Sequence, residues 1–178
     1  PPYKFKNNPN WTVEGEIKVT RRSERFELHK TDDTNLKNFI AVGKNGSGNL
    51  AYWWGTSSSA ESSKTYDASH IAVDTWYPFR ISRMGNNVLF MFNNTDKYEV
   101  TTTYFNTFEY IEPSIFGYGT SGASVRNLKI TPLEPVHPLS PNSSVCTNAQ
   151  GIITTESKNN HAHSDTQLNW NGDTTNNS

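Results

Sequence analysis

Trp76-Tyr77-Pro78-Phe79-Arg80-Ile81-Ser82-Arg83, then Met84-Gly85-Asn86, then Asn87-Val88-Leu89-Phe90-Met91-Phe92 is the stretch on which the fold turns. Phe79 and Ile81 alternate with Arg80 and Ser82, the period-two pattern of a strand with one buried face. Two such runs about a short Gly/Asn turn form a β-hairpin. Val88, Phe90 and Phe92 alternate with Leu89 and Met91, so both faces of the second strand are apolar. Such a strand is expected to lie centrally in a packed sheet.

The same pattern extends in both directions. From Trp11 to Val19, Trp11, Val13, Ile17 and Val19 share one face and Thr12, Glu14, Glu16 and Lys18 the other. Gly15 falls on the apolar face, which marks a bulge or a close approach of backbone. Arg25 to His29 alternates again, with Phe26 and Leu28 inside. Phe39 to Val42 and Asn49 to Trp54 are short strands joined by the turn cluster Gly43 to Gly48. Thr56 to Lys64 is Ser-rich and is expected to be a mobile surface loop. Ser69 to Val73, Tyr98 to Thr102, Ser114 to Tyr118 and Ser124 to Thr131 complete the series, with Leu128 and Ile130 facing inward. No segment of ten residues carries a 3.6-residue apolar period, so little helix is expected. About ten short strands with frequent turns make an all-β, antiparallel β-sandwich or jelly roll.

Composition changes after that series. Pro132, Pro135, Pro138 and Pro141 interrupt both helix and central strand. After Ile153 only Leu168 and Trp170 are large and apolar, too little burial to offset the ordering entropy. The expected organisation is a β-sandwich binding domain over 1–133 and a disordered Pro/Ser/Asn-rich tail over 134–178. Hydrophobic residues make up 33% of the chain and aromatic residues 12%, which suits a sandwich with a polar surface and a polar tail. The formal net charge of −1 leaves no basic footprint for nucleic acid. No apolar run approaches the roughly 20 residues that span a bilayer. The chain opens on Pro1-Pro2, so a processed form is expected and its targeting signal is not legible. A single cysteine, Cys146, excludes an internal disulfide framework and reads as a solvated thiol or a bridge to another chain.

Asparagine glycosylation sequons stand at Asn10, Asn45, Asn93, Asn142 and Asn176. Chance in an Asn/Ser/Thr-rich chain accounts for several of them, but the first three fall at strand edges or turns, where a glycan fits. That placement favours a secreted or extracellular-surface protein.

Two stretches carry a family resemblance. Trp76 to Arg83 with its partner Asn87 to Asn93, and Ser114-Ile115-Phe116-Gly117-Tyr118-Gly119 leading into Val125-Arg126-Asn127-Leu128-Lys129-Ile130, resemble the last strands of concanavalin A-like lectin/glucanase jelly rolls. The ordering over Trp76 to Ile130 also looks like the farnesoic acid O-methyltransferase-like domain. Trp54-Gly55 followed by Pro78-Phe79 is similar to a galectin order. The resemblance implies a sandwich fold and a sugar-binding or adhesive role, without settling either ligand or chemistry. The galectin His-x-Asn-x-Arg run is absent, since Lys30 and Thr31 follow His29. The glucanase Glu-x-Asp-x-x-Glu strand is absent too: Glu14-x-Glu16 places two carboxylates on one face with no third acid. Asp32-Asp33 stands too isolated to hold calcium.

Candidate ligand residues follow from strand geometry. Trp53 and Trp54 point to opposite faces of their strand, so one belongs to the core, expected to be Trp54. The other faces a ligand or is covered by the 56–64 loop. An exposed indole suits the C–H face of a sugar, with hydroxyls bonded by neighbouring polar groups. Arg80 on its polar face could bridge two hydroxyls or a carboxylate, although an ordinary exposed arginine is the favoured reading. His29 and Asn49 complete the set. His161 and His163 lack the further ligands a metal needs, so no metal and no cofactor are expected. The resulting reading is a non-enzymatic, extracellular carbohydrate-binding or adhesion module whose partner is a glycan or glycoprotein. The alternatives are a β-sandwich that binds another surface protein and, further off, a glycoside hydrolase.

Overall fold

The computed structural model describes residues 3–31, 39–117 and 122–131, together with the backbone of 151–153, 157–158 and 164–167. Strands β1 (Phe5–Lys6), β2 (Asn10–Lys18), β3 (Glu24–Lys30), β4 (Phe39–Lys44), β5 (Leu50–Ser57), β6 (Ala60–Thr65), β7 (Tyr77–Met84), β8 (Asn87–Phe92), β9 (Asp96–Thr101), β10 (Tyr110–Gly117) and β11 (Ser124–Thr131) build two antiparallel sheets. The first sheet runs β1-β10-β3-β4-β5-β6 and the second has β11-β2-β7-β8-β9 as its main path. Three short strands lie within 134–178. β12 (Gly151–Ile153) and β13 (Ser157–Lys158) pair with β11, and β14 (Ser164–Gln167) pairs with β10. The expected boundary at Leu133, Cys146, the His161/His163 pair and the rest of that stretch lie outside the described residues.

The two sheets meet through their alternating apolar faces. Phe26, Leu28, Ile40, Val42, Tyr52 and Trp54 come from the first sheet; Trp11, Val13, Ile17, Phe79, Ile81, Val88, Phe90 and Phe92 come from the second. Phe90 stacks on Tyr52 at 4.7 Å and Phe26 meets Phe79 at 4.9 Å across the interface, separations at which aromatic pairs add to simple burial. At one end, Asn7 ties the N-terminal segment down. Its amide donates to the carbonyls of Phe105 and Phe108 and its Oδ1 accepts from Trp11 Nε1 and from the buried Arg83.

The hairpin read from residues 76–92 forms as β7 and β8, paired from Phe79↔Phe92 to Met84↔Asn87. Gly15 sits opposite a register shift in β11 between Arg126 and Lys129. A Cβ there would stand 3.1 Å from the Arg126 carbonyl oxygen, so the expected close approach is real.

Three expectations differ from what forms. The Ser-rich 56–64 stretch holds most of β6, which pairs with β5 as an edge strand. Its exposed Ala, Ser and Thr side chains leave no apolar alternation to reveal it. Residues 69–73 are not a strand; Asp67 caps a short 3-10 turn over Ala68–His70, the local use of an Asp side chain that competes with extended backbone. Leu89 and Met91 are only half-buried, because the outer face of β8 has no further layer on it among the described residues. Also among the described residues, no helix is long and apolar enough to cross a membrane, and no group of three or more His, Cys, Asp or Glu could hold a metal ion.

Candidate functional site

Alternation in Arg25-Phe26-Glu27-Leu28-His29 sends Phe26 and Leu28 into the core and leaves Arg25, Glu27 and His29 on the outer face of the first sheet. Strand pairing then fixes their neighbours. One row across the sheet reads Phe116, Arg25, Gly43, Ala51, Thr65; the next reads Ser114, Glu27, Ala41, Trp53, Ser63; the third begins Glu112, His29, Phe39. Small residues at 41, 43 and 51 let the large side chains lie over them. Gly43 is obligatory, since a Cβ there would run into the Glu24 carbonyl and the Arg25 backbone.

Arg25 stands at the centre of this face. Its guanidinium lies 4.4 Å from the Phe39 ring centre, 4.5 Å from Phe116 and 5.1 Å from Trp53. All three separations fall within cation–π reach. Its Nε donates to Glu27 Oε1 at 2.5 Å, and Glu27 Oε2 pairs with His29 Nε2 at 2.5 Å. Glu27 and Ser114 are wholly buried and His29 and Glu112 nearly so. Among the described residues the Ser114 hydroxyl has no hydrogen-bond partner, which is uncommon for a buried polar atom.

A pocket of about 270 Å³ opens beside this ladder, lined by Ser23, Arg25, Lys44, Asn45, Gly46, Trp53 and Phe116. The turn between β4 and β5 forms one wall. The Asn45 carbonyl side chain accepts from the backbone N–H of Ser47 at 3.0 Å and of Asn49 at 2.9 Å, an Asx turn that holds the wall in place. Lys44 turns its ammonium to the Ile71 carbonyl, 2.7 Å away. Burial, aided by the nearby Arg22, holds that ammonium below the usual lysine range. Trp53 is half-buried, so an indole face remains at the pocket.

The residues singled out from sequence divide between the two sheets. His29 and Trp53 share the outer face of the first, and Asn49 sits at the end of the turn that walls the pocket. Trp54 is in the core, 7% exposed, against Phe90 and Tyr98; it offers nothing to a ligand on the outer face. Arg80 is exposed on the outer face of the second sheet, opposite Glu14 and Met91. It cannot share a site with Trp53, because β5 and β7 belong to different layers. Sequence reasoning places Arg25, Glu27, Phe39, Ser114 and Phe116 in strands but does not single them out as site residues. The polar half of the Arg25–His29 alternation was the available signal.

Of the sequons, Asn10 and Asn93 are exposed, Asn93 in a turn with φ of 53°. Asn45 lines the pocket, and Asn142 and Asn176 lie outside the described residues.

No protein-family model matches the chain, and no curated protein matches its sequence. Solved structures do match its shape. The mouse laminin alpha1 chain, domains LG4-5, aligns at TM-score 0.50 and 13% identity over 73% of this chain and 37% of that one. Alginate lyase AlyC3 aligns at TM-score 0.50 and 9% identity over 71% of this chain and 67% of its own. The Caenorhabditis elegans galectin LEC-6 aligns at TM-score 0.48 and 14% identity over 70% of this chain and 86% of that one. At these identities the likeness is one of fold: two antiparallel sheets packed as a β-sandwich.

Proposed function

We propose that this chain is an extracellular, non-enzymatic glycan-binding domain whose ligand sits on the outer face of the first sheet. One observation carries the reading: the half-buried Trp53 indole stands at a pocket that also presents Arg25, Phe116, Ser23 and Asn45. Sugars stack their C–H faces on aromatic rings and give their hydroxyls to mixed donors and acceptors, and this wall supplies both. A shared fold with an alginate lyase is compatible with a carbohydrate ligand. Exposed sequons at Asn10 and Asn93 support passage through a secretory route. Glycan-array binding of the 178-residue chain, compared with its Trp53→Ala variant, tests the reading. Binding that survives the substitution would remove it.

The Glu27–His29 contact favours a second reading. A carboxylate that orients an imidazole is the arrangement of a general base. Incubation of the chain with polysaccharides, followed by assay for newly formed chain ends, tests that activity; no new ends are expected for a binding domain.

A further inference from the structure

We propose that Asn45 is a glycan acceptor and that the sugar it carries closes the Trp53 pocket, so that modification of the chain regulates its binding. The proposal rests on the glycan-binding reading of that pocket. Asn45-Gly46-Ser47 is an acceptor sequon, a weak signal alone. The structure adds three observations. Asn45 and Gly46 line the pocket together with Trp53, Arg25 and Phe116. The two ends of the Asn45 amide are used differently: Oδ1 accepts from Ser47 N and Asn49 N, while no hydrogen bond among the described residues engages Nδ2. Finally, Ser47 is exposed at the tip of the turn, where a transferase reads its hydroxyl.

The nitrogen is therefore the end available for chemistry, and the oxygen keeps the turn in shape after the chemistry is done. In the transfer, Nδ2 attacks the anomeric carbon of a glycosyl diphosphate donor. One N–C bond forms and the anomeric C–O bond breaks. The diphosphate leaves with the bonding electron pair, and the amide loses one proton. A secondary amide still presents its carbonyl, so both turn hydrogen bonds survive. The pocket holds about 270 Å³, below the usual size of a site for drug-sized ligands. One sugar ring linked to its wall is enough to occupy its mouth. Asn10 and Asn93 lie at other positions of the fold and do not line the pocket, so sugars there leave it open.

The test secretes the full chain from a glycosylating eukaryotic host alongside Ser47→Ala. That variant removes the sequon but keeps the Asn45 side chain and the backbone N–H that bonds to it. Bacterial, unglycosylated chain is the reference. Peptide mass spectrometry reads occupancy at residue 45, and a glycan array reads binding. We expect Asn45 to carry sugar, the glycosylated chain to bind at least tenfold more weakly than Ser47→Ala, and Ser47→Ala to match the bacterial protein. A bare Asn45 in a chain glycosylated at Asn93 overturns the proposal. So does an occupied Asn45 with binding equal to Ser47→Ala, which leaves the glycan-binding reading intact. If the bacterial chain and Ser47→Ala bind no glycan at all, that reading falls and the gate falls with it.

Discussion

Replacing Trp53 and Trp54 with alanine, one at a time, separates site from core within a single dipeptide. Trp54 is 7% exposed and packs on Phe90 at 6.2 Å and Tyr98 at 5.7 Å. A buried indole takes about 150–250 Å² out of water. At about 25 cal/mol per Å² that is on the order of 4–6 kcal/mol, an upper bound because the unfolded chain already hides part of it. Measured aromatic truncations of this kind cost about 3–5 kcal/mol, and that is the loss expected for Trp54→Ala. Trp53 is half-buried and keeps one face at the pocket. Its loss removes roughly half that burial and one of the three rings around Arg25, a cation–π contact of about 0.5–1 kcal/mol. A total of about 2–3.5 kcal/mol is expected, below the Trp54 loss. Urea unfolding measures both; a shift in midpoint with an unchanged slope reports stability itself. Equal losses, or a larger one for Trp53, would refute the register that puts the two indoles on opposite sides of β5.

Further outcomes follow from the same packing. Phe90→Ala removes the ring stacked on Tyr52 and is expected to cost about 3–5 kcal/mol in urea unfolding; a wild-type midpoint would contradict the core. Asn7→Ala strands Trp11 Nε1 and two backbone carbonyls and removes an acceptor from Arg83, with about 1–3 kcal/mol for each buried group that stays unpaired, so thermal melts should fall sharply. Arg80→Ala, exposed on the second sheet, is expected to change stability by less than about 0.5 kcal/mol and to leave glycan binding unchanged; weakened binding would move the site. A chain ending at Leu133 keeps every strand from β1 to β11 and is expected to melt within about 5 °C of the full chain. A larger drop would show that the edge pairing of 151–167 stabilises the sandwich.

Much of the fold was legible because alternation is a local property. Trp11 to Val19 and Phe79 to Phe92 declare their inner faces residue by residue, and Gly85 at φ 62° supplies the turn between β7 and β8. The misreadings share a cause. Ala60–Thr65 has no apolar partner side to betray it, because an edge strand can be polar on both faces. Residues 69–73 alternate weakly, and the Asp67 cap outweighed that pattern. The site was harder to read. Arg25, Glu27 and His29 show their common face in sequence, but the meeting of Arg25 with Phe116 depends on β3 pairing with β10, far apart in the chain. Arg80 and Trp53 each looked suited to a sugar; alternation tells which face a residue takes and not which sheet it belongs to.

The glycan-array profile of the folded Trp53→Ala chain beside the wild type tests the central claim most directly. If the outer face of the first sheet is a glycan site, the wild type binds a defined set of glycans and the variant, still folded by its unfolding curve, loses them. A folded variant that retains the wild-type profile would contradict the account.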